Sequence, residues 1–197
     1  MIIEHRGARP SISAGATVAA SAVIIGDVTI DSGARILHGA VLTAEDGSIH
    51  IGHNTVVMEQ SVIRGRAGHN VSIGSSVMVG PHTHINGATV GDGAFIATGV
   101  SLFPGAVVEA GAEVRINGVV QVNTVVTEGT VVPIGWVAVG NPAQLFSPDR
   151  HDEIWAVQRT LNFTGTVYGV GADATMADIM RRQSDFYGAH DEDRRVD

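Results

Sequence analysis

Branched aliphatic residues recur at every sixth position through most of the first two thirds of the chain. Most of them follow, two positions later, a small or slender residue such as alanine, serine or threonine. This spacing fits neither the period of about 3.6 residues of a helix nor the longer strands of a sandwich. It predicts a solenoid in which three short strands close each triangular coil. The aliphatic positions are Ile12, Val18, Ile24, Ile30, Ile36, Leu42, Ile51, Val57, Ile63, Ile73, Val79, Ile85, Val90, Ile96, Leu102, Val108, Val114, Val120, Val126 and Val132.

Two insertions interrupt the six-residue period, at residues 43–50 and 64–72. Insertions into a solenoid form loops on one side of it, and such loops commonly carry the functional residues. We therefore expect two loops here, with the functional site beside them.

The pattern changes after the last repeat. Ser147, with Pro148 and Asp149 after it, is typical of a helix start, and a second helix is expected from about Thr175, capped together with Asp178. The sequence thus predicts three regions: a β-helix over 1–145, a helical extension over 146–190 and a disordered charged tail over 191–197.

Composition narrows the class of protein. With 44% hydrophobic and 5% aromatic residues in 197 positions, the chain suits one soluble domain with a thin aliphatic core. It has no cysteine, which excludes disulfides and thiolate chemistry, and its net charge of -8 argues against nucleic acid or anionic membrane as a partner. Since no apolar run spans a bilayer or forms a signal peptide, we expect a cytoplasmic protein.

Residues 23–143 resemble the gamma class of carbonic anhydrases, within the hexapeptide-repeat superfamily. The matching segments are IGDVTI (25–30), GAVL (39–42), GSIHIGHNT (47–55), SVI (61–63), ATVG (88–91) and VGNPA (139–143). The resemblance implies a left-handed parallel β-helix that assembles as a homotrimer. The expected fold class is therefore an all-β solenoid of hexapeptide repeats with a C-terminal α-helical segment.

The resemblance also implies where zinc should bind, through three histidines, two from one subunit and one from its neighbour. The matching positions here are Arg64, Pro81 and Asn86. Arginine is a permanent cation, proline offers no donor and asparagine offers only a weak carbonyl oxygen. We therefore expect no metal at these positions, no cofactor, and no ordinary zinc-dependent hydration of carbon dioxide.

Polar residues occupy the region where that zinc would lie. Equivalent positions of successive coils stack about 4.8 Å apart, and the resemblance implies a cleft between subunits. Arg64 with Asn86 suits a small carboxylate substrate, whereas a simple salt bridge from Arg64 to Glu59 of a neighbouring subunit is the structural alternative. The predicted substrate-binding residues are Arg64, Asn86, Thr43 and Glu45, and the predicted catalytic residues are Glu59, His82, His84 and His38.

Four functions remain open. The first is a metal-independent enzyme acting on a small carboxylate-bearing molecule, and the second is an acyltransferase that uses coenzyme A with His82 or His84 as base. The third is a trimeric scaffold without activity. The fourth is a metal-dependent hydrase or hydrolase whose metal has moved to His82 and His84 with Glu59 or His38. Four other histidines are expected to face solvent: His5, His53, His69 and His151.

Overall fold

The computed structural model describes residues 1–197 as a parallel β-solenoid of about eight turns, followed by short helices. The predicted solenoid class is therefore confirmed. Its strands are β1 Ile2–Glu4, β2 Ser11–Ile12, β3 Thr17–Val18, β4 Val23–Ile30, β5 Arg35–Ile36, β6 Val41–Ile51, β7 Val56–Val57, β8 Val62–Gly65, β9 Val71–Ile73, β10 Met78–Val79, β11 His84–Asn86, β12 Thr89–Val90, β13 Phe95–Ile96, β14 Ser101–Leu102, β15 Val107–Val108, β16 Glu113–Val114, β17 Val119–Val120, β18 Val125–Val126, β19 Val131–Val132, β20 Val137–Val139, β21 Gln144–Phe146 and β22 Arg194–Arg195.

Strands β1 to β20 pair in parallel with their equivalents one turn away, which builds three faces, whereas β21 and β22 pair antiparallel with β20 and β1. One face holds β2, β9, β12, β15 and β18, and another holds β3, β5, β7, β10, β13, β16 and β19. The third, which we call the site face, holds β1, β8, β11, β14, β17 and β20. The long strands β4 and β6 turn a corner and belong to both the first face and the site face.

The aliphatic residues of the six-residue period fill the interior of the prism, as predicted. All from Ile24 onward are buried, whereas Ile12 is 36% exposed and Val18 is half-buried because the first turn has no turn below it. Buried hydroxyls between the aliphatics donate to backbone carbonyls, as Ser61 Oγ does to the Gly80 oxygen at 2.9 Å. The core therefore tolerates these hydroxyls without leaving a polar group unpaired.

The first insertion does not form a separate loop, which corrects the expectation for residues 43–50. Strand β6 continues through it, because Thr43 and Ala44 keep their pairing with β4 and β8. The second insertion does form a turn, closed by an antiparallel bridge between Arg66 and His69. Both insertions lie on the side of the solenoid that the C-terminal segment covers.

Three helices follow the solenoid: α1 His151–Gln158, α2 Phe163–Tyr168 and α3 Met176–Tyr187. The start expected at Ser147 is wrong, because Ser147 to Arg150 form a turn and α1 begins after Arg150. The cap expected at Thr175 is confirmed, with a reciprocal pair of hydrogen bonds to Asp178. The longest helix has 12 residues, and no helix is long and apolar enough to cross a membrane.

The C-terminal segment runs back along its own chain, from the last turns of the solenoid to the first. Phe163 packs on Phe103, Arg66 donates to the Val167 oxygen, and β22 pairs antiparallel with β1. Within the tail expected to be disordered over 191–197, the structure has the end of a 3₁₀ helix, Gly188–Glu192, and strand β22, which pairs with β1. The division into domains at residue 145 stays a prediction.

Candidate functional site

Thr43, Arg64 and Asn86 stand one above another on the site face, as the stacking of equivalent positions predicts. They occupy matching positions in β6, β8 and β11. Asn86 is 7% exposed, and its Oδ1 has no hydrogen-bond partner. The buried Nε of Arg64 also makes no hydrogen bond. A bound ligand could supply the hydrogen bonds that these two buried atoms lack, which makes the column a candidate binding site.

Glu45 joins this column from the first insertion. It is 4% exposed, accepts a hydrogen bond from Thr43 Oγ1 at 3.0 Å, and lies 3.6 Å from Arg64 Nε. The predicted substrate-binding residues Arg64, Thr43 and Glu45 therefore meet. The Arg64 guanidinium also lies over the Tyr187 ring, 5.6 Å from its centroid, so the C-terminal segment partly covers it.

The residues at the implied zinc positions do not fit a zinc ion. Arg64 and Asn86 are neighbours on adjacent strands, and the Arg64 guanidinium stands between Glu45 and Tyr187. A cation there opposes a metal, and the unpaired Asn86 Oδ1 is a poor ligand for zinc. None of the three histidine ligands of the gamma class is therefore present at these positions.

The predicted catalytic residues do not form one group within the chain. His38 is exposed and its Nδ1 lies 2.8 Å from Ser21 Oγ, and His82 is an exposed corner residue with φ of 57°. Glu59 makes no side-chain hydrogen bond or ion pair. Whether Glu59 and His38 of a neighbouring subunit face Arg64 stays a prediction.

His84 differs from the other three, because it lies on β11, which pairs with the strand of Arg64. Its ring is partly exposed and makes no hydrogen bond within the chain. Burial lowers the pKa of His84, and the positive charge of Arg64 lowers it further. The imidazole is therefore neutral at pH 7, as a general base must be.

Sequence reasoning missed a group of four residues, His5, Glu45, His190 and Asp193, which we call the His–carboxylate cluster. Asp193 accepts from Nδ1 of His5 at 2.6 Å and from Nδ1 of His190 at 2.8 Å. Nε2 of His190 lies 2.9 Å from Glu45 Oε2. The two imidazoles stack with centroids 4.4 Å apart.

The expectation that His5 faces solvent is wrong, since His5 is 2% exposed beneath the C-terminal segment. For His190, burial alone would lower the pKa, but the hydrogen bonds to Asp193 and Glu45 raise it above the ordinary value. Burial opposes ionisation of Asp193, and the two imidazole donors outweigh this and lower its pKa. No sequence pattern predicts the cluster, because most of its members are far apart in the chain.

Gly26 shapes the backbone beside the cluster. It lies in β4 next to Ala44 of β6, with φ of 76°, and the pairing of the two strands shifts immediately after it. A Cβ atom at this position would lie 2.5 Å from the Ala44 oxygen. Only glycine lets the two strands approach this closely at the base of Glu45.

A cavity of about 520 Å³ opens between the second insertion and the C-terminal helices. Most of its lining residues are polar, and the charged ones are Arg66 and Arg182 with Asp46 and Asp185. His69 also lines it, half-buried rather than solvent-facing as expected. Burial and then Arg66 lower the pKa of His69.

Comparison with known proteins supports the fold and no closer relationship. No protein-family model matches the chain. A hexapeptide transferase family protein from Anaplasma phagocytophilum is similar over 93% of this chain and 96% of its own, with 24% identity and a TM-score of 0.57.

Two further structures are less similar. A mutant of GDP-perosamine N-acetyltransferase from Caulobacter crescentus, in complex with CoA and GDP-perosamine, has 22% identity over 67% of this chain and 56% of its own, with a TM-score of 0.47. The acetyltransferase domain of PglB from Neisseria gonorrhoeae, in complex with acetyl coenzyme A, has 20% identity over 70% of this chain and 57% of its own, with a TM-score of 0.32. Scores this low support no inference about function.

The chain therefore has the left-handed parallel β-helix fold of hexapeptide-repeat proteins, followed by a short helical segment. This is the fold that the repeats and the resemblance predict. Membership of the gamma class of carbonic anhydrases is not shown.

Proposed function

We propose that the protein is an acyltransferase that moves an acyl group from a coenzyme A thioester to a small carboxylate-bearing acceptor. The observation that carries this proposal is His84, a neutral, partly exposed imidazole with no hydrogen-bond partner in the chain, on the strand next to that of Arg64 and near enough for the Arg64 charge to lower its pKa. A free neutral imidazole is the commonest general base in enzymes. The likeness to a hexapeptide transferase family protein agrees with this class, although a shared fold sets only a prior on function.

His84 would take the proton from the amine or hydroxyl of the acceptor as that atom attacks the thioester carbonyl. The carbon–sulfur bond then breaks, and His84 returns the proton to the departing thiolate. The products are the acylated acceptor and free coenzyme A, so atoms and charges balance.

Arg64 would hold the carboxylate of the acceptor. No side-chain hydrogen bond of the chain uses its guanidinium, whose nearest acidic partner is Glu45 at 3.6 Å. The side chain is 30% exposed, so an anion can reach it. A guanidinium offers paired donors to a carboxylate, which fixes orientation as well as position.

Assembly into a homotrimer is part of the proposal. Exposed apolar side chains lie together on the face that holds β10 and β13, including Met78, Ile116 and Ile134, which is 63% exposed. Contact with another copy would remove this surface from water. Light scattering during size-exclusion chromatography tests this, and a monomer at micromolar concentration would exclude it.

The activity test uses the purified full chain with acetyl and succinyl coenzyme A, and a panel of small amino- and hydroxy-carboxylates. Release of free thiol is followed. We expect His84→Ala to lower kcat by about 100-fold or more, while His53→Ala, which changes an exposed histidine, leaves it unchanged. Arg64→Met should raise KM for the acceptor. If no donor is consumed and none shifts the melting temperature, the scaffold hypothesis replaces this one.

The pH profile gives a second test of His84. Because its pKa is lowered, the base stays neutral and active down to pH values below 6.5, and activity falls only under more acidic conditions. In Arg64→Met the positive neighbour is removed, so the acidic limb should move to higher pH. A limb that stays in place would contradict the role of His84.

A further inference from the structure

The His–carboxylate cluster brings three metal-ligating groups to one point. Ligand atoms of His5, Glu45 and His190 lie within 4.8 Å of one another, and His190 Nε2 already lies 2.9 Å from Glu45 Oε2. The side chains of His5 and Glu45 are 1% and 3% exposed, and that of His190 is 29% exposed. Two of the three side chains are therefore buried, and solvent reaches the group at His190.

His5 is the second and independent observation. Its Nε2 is buried and has no hydrogen-bond partner, and one nitrogen of its ring lies within 4.8 Å of ligand atoms of Glu45 and His190. An ionised carboxylate can only accept hydrogen bonds, so Asp193 requires a proton on Nδ1 of His5. The neutral ring then has its lone pair on Nε2, which is the form that binds metals.

Asp193 serves both imidazoles in the same way. It accepts from Nδ1 of His5 and from Nδ1 of His190, which leaves Nε2 as the free nitrogen of His5 and as the nitrogen of His190 that lies against Glu45. A carboxylate behind a histidine is the usual support of a zinc ligand, because it fixes the tautomer and the ring orientation. Here one carboxylate supports two such histidines.

We propose that the protein binds one divalent transition-metal ion, zinc above all, through Nε2 of His5, Nε2 of His190 and the carboxylate of Glu45. Two imidazoles and one carboxylate suit zinc and do not suit calcium or magnesium, which prefer oxygen ligands. The fourth position lies on the exposed side of His190 and takes water. The charges of Glu45 and Asp193 balance the ion, and Thr43 and Arg64 orient Glu45.

The ion would join β1, β6 and the 3₁₀ helix, which lie far apart in the sequence. It would replace the proton between His190 Nε2 and Glu45, so binding releases a proton. The site shares no ligand with the acyl-transfer chemistry proposed above, and the proposal does not depend on it.

The test uses the full chain, freed of metal by a chelator and then titrated with Zn²⁺ alone. We expect about one zinc ion per chain by elemental analysis, and a melting temperature that rises with zinc. His190→Ala should lose at least about 100-fold in affinity and lose the shift in melting temperature. His53→Ala and His151→Ala, which alter exposed histidines, should behave as the wild type.

Binding of Co²⁺ provides a spectroscopic test that distinguishes this site from nonspecific binding at the protein surface. A tetrahedral site with two imidazoles and a carboxylate should show visible absorption bands in the wild type and none in His190→Ala. His190 is partly exposed, so this variant should fold even if His5→Ala does not. Equal zinc binding by His190→Ala and wild type, or no cobalt bands in the wild type, would overturn the proposal. Neither result bears on acyl transfer, which is measured without added metal.

Discussion

The solenoid and the C-terminal segment differ in how their contacts are distributed along the chain. In the solenoid, every turn repeats the same aliphatic interior, and each residue such as Ile63 packs against its equivalents one turn away. The C-terminal segment is instead held by a few unlike contacts, among them the His–carboxylate cluster and the strand pair β1–β22. The solenoid is thus stabilised by many equivalent contacts, whereas the C-terminal segment depends on a few individual ones.

The interior of the solenoid should show the largest effect of a single substitution. Ile63 is completely buried among residues that cannot move inward, so Ile63→Ala should cost about 2–5 kcal/mol of unfolding free energy. Ile179 of α3 is 5% exposed but belongs to no large apolar cluster, so Ile179→Ala should cost about 2 kcal/mol or less. Denaturant unfolding measures both, and equal losses would erase the contrast between the two regions.

Asp193→Asn should have a smaller and more local effect. In the metal-free protein the asparagine keeps one acceptor oxygen, but its amide nitrogen cannot accept from the second imidazole, so the change should cost about 1–3 kcal/mol. Hydrogen exchange should therefore accelerate in residues 188–196 and in β1, and stay slow in β8 and β11. Asp191→Asn, at an exposed position nearby, is the control. Acceleration throughout the solenoid would mean that the two regions unfold together.

Thr175→Ala should have the smallest effect. It removes the cap shared with Asp178 at the start of α3 and should cost about 1 kcal/mol. Ser184→Ala, on the exposed side of the same helix, should cost almost nothing by comparison. Circular dichroism during thermal unfolding reports the difference. A larger loss from Ser184→Ala would show that another contact, and not the cap, limits the helix.

Much of the candidate site followed from sequence because it lies within the repeat. Thr43, Arg64 and Asn86 have equivalent places in successive turns, so their stacking is a consequence of the period. Glu45 was also predicted near them, and it makes contact with Thr43 and Arg64. By contrast, the insertion that carries Glu45 was expected as a loop and continues as strand β6, which pairs with β4 and β8 up to Ala44 and, after a shift in register, with β4 and β9 from Ile49.

The partners of Glu45 from the C-terminal segment could not be foreseen in this way. Glu45 and His190 are 145 residues apart, and His5 and Asp193 are 188 residues apart. His190 stands in a charged stretch whose composition is typical of disorder, and no periodic pattern connects it to the first strand. Its order comes from contacts with a surface that exists only once the solenoid has formed.

The sequence alone therefore determined the solenoid, its buried aliphatic interior and the column of polar residues on one face, because a short period makes burial a local property that each turn repeats. Only the tertiary structure decided that the C-terminal segment returns to the first turn and buries His5 against Glu45 and His190. That outcome depends on single contacts between distant residues, which leave no repeating pattern in the sequence.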